Sequence, residues 1–514
     1  MKRSDCGALL AACLAVFSAH VQGATPSNDD GDAARFAHAV EHGLRPSIAA
    51  VGAPVPTWSL RERMAHHKVP GVAVAVVRDG KVVYAAGFGA RQAGTSEAVD
   101  ADTLFSVGSV SKMVSAATAL RLVASDRLAL DRDIDQDLES WHLPADGSRQ
   151  RLTLRMLLSH TSGLGVHGFE DYLPGETLPT LRQTLDGLAP AKNEPVRLQH
   201  PPGSQVDYSG GGFMVMQQAI EDVTGKPFAE VARQQVFAPL RMSRSTFESP
   251  LSPHRGNIAK AHGRDGQPVA LPRGWQTFPE QAASGLWTSA NDLGAFVAAL
   301  LASYRGNDGL LPQPLALQMM SEVAPGDRGL GPELAGSGPT RRFLHNGSND
   351  SYKAGIEGYP ESGDGFVILT NGSNGGALRG EIRNALSDAL GHGVKPVIRT
   401  LNPALLVATF PEFAGRYVLD AGVPMDLRGA LADWFEVDSL EIRVADGALQ
   451  LVTPDEEEPA ALMPLTPVRF FSGEVGAELQ FQRRADGKVH AVSVEAGGAR
   501  AYYRKQENGS NNTR

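Results

Sequence analysis

The sequence predicts a mixed α/β (α+β) fold in two parts, and three observations predict it. Residues 69–77 and 82–87 are β-rich and flank the turn Arg78-Asp79-Gly80-Lys81, a hairpin pattern near the start of the chain. A long, mostly helical middle separates that hairpin from two further strand-like runs between Gly355 and Thr370, so strands from both ends can share one sheet with a helical lobe inserted. Beyond Gly393 the character changes. Alternating segments such as Leu440-Glu441-Ile442-Arg443-Val444 and Leu479-Gln480-Phe481, with turn signals at Ala445-Asp446-Gly447 and Ala485-Asp486-Gly487, indicate a small antiparallel β module. The 514 residues are too many for one ordinary domain.

Hydrophobic residues make up 42% and charged residues 20% of the chain, a balance that can bury a large core. The formal charge of −9, without basic runs, leaves no electrostatic footprint for nucleic acid or an anionic membrane. Lys2 and Arg3, an apolar run from Gly7 to Ala19 and small residues around Val21-Gln22-Gly23-Ala24 form a signal-peptide pattern over residues 1–23. Cleavage after Gly23 gives a periplasmic or secreted product. Leu10-Ala11-Ala12-Cys13 also has the form of a bacterial lipoprotein box, which leaves a lipid anchor at Cys13 as the alternative. Cys6 and Cys13 are the only cysteines, so a chain cleaved after Gly23 has no thiol chemistry. No later stretch approaches the roughly 18 consecutive apolar residues of a transmembrane span.

Taken in order, residues 24–55 read as a lead-in, polar and flexible from Thr25 to Ala33. His38-Ala39-Val40-Glu41-His42 matches H-x-x-E-H, an inverted zinc-protease pattern, but without an obvious third ligand the expectation is an exposed amphipathic helix. After the hairpin, a helix starts near Gly108, and another helical stretch over 152–158 ends at Ser159-His160-Thr161-Ser162-Gly163-Leu164. Several prolines between Pro174 and Gly203 mark an elaborated loop. Residues 213–223 form a helix closed by Thr224-Gly225-Lys226-Pro227, whose Gly-Lys pair lacks the preceding glycine of a phosphate loop. Residues 291–301 form a helix capped by Ser289 or Asn291, and residues 380–390 form another. A linker over 393–409 leads to the β module over 410–505. Within that module Asp455-Glu456-Glu457-Glu458 is a solvated loop, and residues 506–514 are a disordered tail.

The chemistry centres on Ser109-Val110-Ser111-Lys112 and the apolar run from Met113 to Val123. At a spacing of three, a helix places the Ser109 hydroxyl and the Lys112 amine on one face. A serine is a poor nucleophile until something takes its proton, and a lysine carried into a core by an apolar helix can become neutral enough to do so. Ser111 neighbours Lys112 but points elsewhere on a helix. On its own the S-x-x-K spacing is short and also fits a capped core helix with an incidental lysine.

Two further stretches join it. Pro202-Gly203-Ser204-Gln205-Val206-Asp207-Tyr208-Ser209-Gly210 presents a tyrosine at a loop-to-helix junction, and Phe343-Leu344-His345-Asn346-Gly347-Ser348 places a histidine and a glycine in an edge strand. With Ser109 and Lys112 these resemble, in order and spacing, the S-x-x-K, Y-x-N and K/H-x-G triplet of serine β-lactamases and penicillin-binding proteins. Val69-Pro70-Gly71-Val72, Thr103-Leu104-Phe105, residues 157–164, residues 284–293 and Leu369-Thr370-Asn371-Gly372 are similar to the broad branch related to class C β-lactamases. The resemblance assigns residues 56–392 to a β-lactamase-related serine hydrolase domain. It implies a β-lactamase/transpeptidase-like antiparallel sheet flanked by helices with a helical lobe, and a small C-terminal β-barrel-like appendage that caps the cleft or mediates association.

The same resemblance implies roles. Ser109 attacks the acyl carbon, Lys112 and Tyr208 handle protons, and the backbone N–H groups of Ser109 and Ser348 form the oxyanion hole. His345, Asn346, Gly347 and Gly210 would line the substrate site. No metal or organic cofactor is implied, and the partner is a small-molecule or peptide substrate. His160 is a tempting triad histidine, but its motif in this family is structural. There are two departures from the β-lactamase pattern: Gly210 stands where an asparagine is expected, and His345 where a lysine is expected. Both resemble the esterase, D-aminopeptidase and D-Ala-D-Ala carboxypeptidase-like members. The expected function is therefore an exported serine hydrolase of an ester or amide, with a β-lactamase, or a non-catalytic cell-wall or ligand-binding protein on the same fold, as alternatives. No G-x-S-x-G elbow occurs, which disfavours an α/β-hydrolase.

Overall fold

The computed structural model describes residues 28–144, 151–393, 397–420, 439–445, 447–452, 459–472, 477–496 and 499–506. The leader over 1–23 with Cys13, the acidic run at 455–458 and the tail from residue 507 lie outside the described residues. Among the described residues, ten strands precede the β module: β1 (Ile48–Ala50), β2 (Gly71–Arg78), β3 (Lys81–Gly89), β4 (Phe105–Ser106), β5 (Trp287–Thr288), β6 (Glu333–Ala335), β7 (Arg342–Asn349), β8 (Tyr352–Tyr359), β9 (Asp364–Thr370) and β10 (Ile398–Thr400). Six of them form one antiparallel sheet in the order β3-β2-β9-β8-β7-β6, so both ends of the domain contribute as the sequence suggests.

The central strands are apolar without interruption because both faces of the sheet are covered. Side chains alternate across a strand. Val72, Val74 and Val76 of β2 enter one core with Phe366 and Ile368 of β9, while Ala73, Ala75 and Val77 enter the other with Val367 and Leu369. Helices Asn28–His42 and Gly375–Leu390 cover the first face, and helix Ala290–Tyr304 with the helical lobe covers the second. Ser289 caps the Ala290–Tyr304 helix by accepting the Asp292 N–H at 3.2 Å.

Several sequence expectations need correction. A helix occupies Asn28–His42 where a flexible stretch and an exposed helix were expected, because Phe36 and Val40 are fully buried against the sheet. Its His38 and His42 rings lie 5.3 Å apart, tilted by 46°. β1 and β10 pair in parallel, Ile48 with Ile398 and Ala50 with Thr400, so the lead-in and the linker form one structure. Strand β7 is not the edge strand: β6 pairs with Arg342–Leu344 and leaves His345–Asn349 bonded on one side, to β8. Eight strands from Gly415–Leu419 to Ala499–Lys505 close into an antiparallel barrel. Its interior is filled by Tyr417, Phe470, Phe481, Val492 and their neighbours.

Candidate active site

Ser109 stands where a strand end, a tight turn and a helix meet. β4 is held against β5, and Gly108–Val110 forms a 3₁₀ turn that runs into the helix Ser111–Ala124. Gly108 has φ +49°, a conformation that costs glycine little because it has no Cβ. A Cβ there would lie 2.8 Å from Ser348 N, and one on Gly347 would lie 1.9 Å from Val107 O. The two glycines thus let β7 rest on the backbone of the Ser109 turn.

The helix carries Lys112 inward to 2% exposure. Its Nζ lies 3.3 Å from Ser109 Oγ and donates to Ala283 O at 2.9 Å, so its hydrogen-bond partners are two neutral oxygens. The same Nζ sits 4.9 Å from the centroid of the Tyr208 ring and 5.7 Å from that of Phe213, positions that stabilise a cation over an aromatic face. Ser111 and Ser115 fix the helix: Ser111 Oγ accepts the Leu286 N–H at 3.0 Å, and Ser115 Oγ donates to Ala282 O at 2.8 Å. Tyr208 ends its loop one residue before Ser209, whose hydroxyl caps the helix Gly210–Thr224 through the Gly212 N–H at 2.8 Å.

Opposite stands His345. Its Nδ1–H donates to Asn346 O at 2.7 Å, while its buried Nε2 has no hydrogen-bond partner among the described residues. Burial, with Lys112 nearby, pulls its pKa down to about 3, so the imidazole is neutral. This position in the third motif therefore carries no charge near pH 7.

A cavity of ≈ 390 Å³ is bounded by Ser109, Lys112, Tyr208, His345, Asn346, Gly347 and Ser348. Seven of the eight nominated side chains or glycines meet there. Gly210 does not line it. Its N–H donates to His167 O at 3.1 Å, and a Cβ on it would lie 2.8 Å from the Phe169 ring, so the loop carrying His167 and Phe169 fills the place where a side chain at 210 would go. That loop lines the cavity instead.

Sequence reading missed Arg328, Glu333 and Arg379, which also line it. Arg379 comes from the helix Gly375–Leu390 on the other side of the sheet and donates to Ala354 O at 2.6 Å. Gly355 clears its path: a Cβ there would lie 3.0 Å from Arg379 Cδ and 3.3 Å from Asn346 Oδ1. Burial, with Arg383 nearby, lowers its pKa to about 10. Lys112, Arg328 and Arg379 thus face the cavity against one carboxylate, Glu333, which lies 3.5 Å from Arg328. No motif announces these residues, because they reach the cavity from separate elements. A larger groove of ≈ 1130 Å³ lies between the helix Leu60–His66 and residues 93–98, and none of Ser109, Lys112 and Tyr208 lines it. Among the described residues, none of the barrel lines either space.

Residues 59–390 match the family described as Beta-lactamase. Among curated relatives, esterase EstB of Burkholderia gladioli is 32% identical over 343 residues, covering 60% of this chain and 82% of the esterase. Penicillin-binding protein 4 of Amycolatopsis lactamdurans is 29% identical, covering 42% of this chain and 55% of that protein. A D-aminopeptidase of Brucella anthropi is 27% identical, covering 55% of this chain and 52% of the aminopeptidase. The chain thus spans only about half the length of these last two. Among solved structures, the octameric penicillin-binding protein homologue from Pyrococcus abyssi superposes with a TM-score of 0.53 at 20% identity, covering 86% of this chain and 98% of that one. SurE with D-Leu superposes with a TM-score of 0.53 at 21% identity, covering 93% and 99%. These last two likenesses are of fold.

Proposed function

The chain belongs to the Beta-lactamase family and is a serine hydrolase of the β-lactamase and penicillin-binding-protein kind, and on that premise we propose that it cleaves an ester or amide through an acyl-enzyme on Ser109. The observation that carries the reading is the 3.3 Å contact between Lys112 Nζ and Ser109 Oγ inside a cavity walled by β7. In its neutral form the amine takes the hydroxyl proton along this contact as Oγ bonds to the acyl carbon. Tyr208, beneath the same amine, returns a proton to the leaving alcohol or amine as the old bond breaks. Water then attacks the acyl carbon and gives its proton to Tyr208, while Lys112 returns the first proton to Ser109 Oγ as the acid leaves. The Ser109 and Ser348 N–H groups hold the oxyanion, and Asn346, Gly347 and His345 flank the substrate.

The departures at Gly210 and His345 favour the esterase and D-peptide branch over efficient β-lactam turnover. The cationic lining favours substrates bearing an acid group, which keeps β-lactam hydrolysis as a second reading. We place the protein in the periplasm or outside the cell on the strength of the leader pattern; N-terminal sequencing of exported protein should begin at Ala24, and an intact Met1 would remove this assignment.

A fluorophosphonate probe should label the protein, and Ser109→Ala should abolish labelling and cut turnover by about 10³-fold or more. Labelling that persists in that variant ends the proposal. A panel of p-nitrophenyl esters, D-amino-acid amides, a D-Ala-D-Ala peptide and nitrocefin separates the readings; no nitrocefin turnover removes the second.

A further inference from the structure

Tyr208 is held through its ring and through the backbone on either side of it. One residue does both. His160, fully buried, accepts the Asp207 N–H on its backbone carbonyl at 2.8 Å and the Ser209 N–H on its Nδ1 at 3.1 Å, gripping the two residues that flank Tyr208. Its ring stacks on the Tyr208 ring at 4.3 Å and 29°, and it is backed by Phe213 at 5.4 Å.

We infer that His160 is a positioning residue that holds the Tyr208 phenol toward the Ser109–Lys112 pair. The inference rests on the reading that Tyr208 handles protons in the reaction.

Three further observations support it. His160 adopts φ +58°, which a residue with a Cβ rarely takes and which persists only where surrounding contacts over-determine it. The turn is braced on each side, Ser159 and Thr161 sharing a hydroxyl–hydroxyl bond of 2.9 Å. The ring is also neutral, as an Nδ1 acceptor requires: burial, with Arg328 and Lys112 nearby, holds its pKa well below the ordinary histidine value. Its buried Nε2 has no hydrogen-bond partner among the described residues, so the imidazole offers them no proton route of its own to Ser109. This separates the role from that of a triad histidine, whose second nitrogen must reach the nucleophile.

Two substitutions divide the grip. His160→Asn suits positive φ and keeps a side-chain oxygen for the Ser209 N–H, but it removes the stacked ring. His160→Phe keeps the ring and removes the acceptor. Each should lower kcat by at least about tenfold with KM changed less than about twofold, since a misplaced proton-transfer group costs rate rather than binding. Each should also shift the alkaline limb of the kcat/KM profile, because Tyr208 is faced by Lys112, His167, His345 and Arg328, and moving the phenol changes those distances.

The deciding measurement is a double-mutant cycle with Tyr208→Phe. If His160 acts through the phenol, adding either substitution to Tyr208→Phe costs little further rate. Equal losses in both backgrounds, or unchanged kcat and pH profile in two variants that melt as cooperatively as the parent, overturn the inference. Should Tyr208→Phe alone leave kcat untouched, the proton-handling reading fails instead, so the two failures are distinguishable. Were His160→Phe unable to fold, His160→Asn carries the same cycle.

Discussion

Glu280 and Asp171 are the mirror image of the site histidines in their response to pH. Burial, with Asp171 nearby, pushes Glu280 up to about 8, and burial, with Asp350 nearby, pushes Asp171 up to about 7. A carboxyl whose folded pKa lies above its unfolded value stabilises the fold fully below the unfolded value and loses that contribution as pH rises through the folded one. For these two the window runs from about pH 4 to about pH 8. His345 and His160 are depressed, so their contribution is intact above the ordinary histidine value of 6.5 and is lost as pH falls, for His345 toward about 3. The histidine trend opposes the carboxyl one below about pH 6.5, so the melting temperature should fall between about pH 6.5 and pH 8, and Glu280→Gln should shrink that fall. A thermal-unfolding series in which the variant declines as steeply as the parent would contradict the assignment. None of this is readable from sequence, where Glu280 and Asp171 look like ordinary loop acids.

At the scale of elements, catalysis depends on how closely β7 and the Ser109 turn approach. Gly347→Ala would drive a methyl to within 1.9 Å of Val107 O, so strand or turn must move. A displacement near 1 Å can cost about 10²-fold in rate, and overpacking of this kind costs typically 1–3 kcal/mol of stability. The expected outcome is a folded protein with kcat reduced by about two orders of magnitude; steady-state kinetics that leave kcat within twofold would show that the approach is not needed. The K/H-x-G motif placed this glycine in the sequence, while its collision with Val107 became visible only in three dimensions. The sequence also made β7 an edge strand, because β6 has only three residues and too little pattern to be read.

For the molecule as a whole, among the described residues the barrel core shares none with the two cores of the large sheet, and none of the barrel lines the Ser109 cavity. Contact with the rest of the chain includes the Leu401 N–H bond to Pro464 O at 2.7 Å. Phe470 is fully buried among Phe410, Phe413 and Phe481. Phe470→Ala should cost about 3–5 kcal/mol locally and lower a separate barrel transition in calorimetry, with kcat/KM unchanged. A single transition that falls together with activity would show that the barrel and hydrolase parts unfold as one.

The sequence by itself determined the two-part α/β organisation, the membership of the sheet from both ends of the domain, and the motif residues Ser109, Lys112, Tyr208 and His345. The organisation is written in period-two alternation and apolar runs, which a chain carries without folding, and the motif residues in short stretches that resemble those of a known family. Only the tertiary structure decided that Gly210 lies under the loop of His167 and Phe169, that Arg328 and Arg379 make the cavity cationic, and that His160 grips both neighbours of Tyr208. These are contacts between residues tens to hundreds of positions apart, set by how helices and strands pack, and no local pattern encodes them.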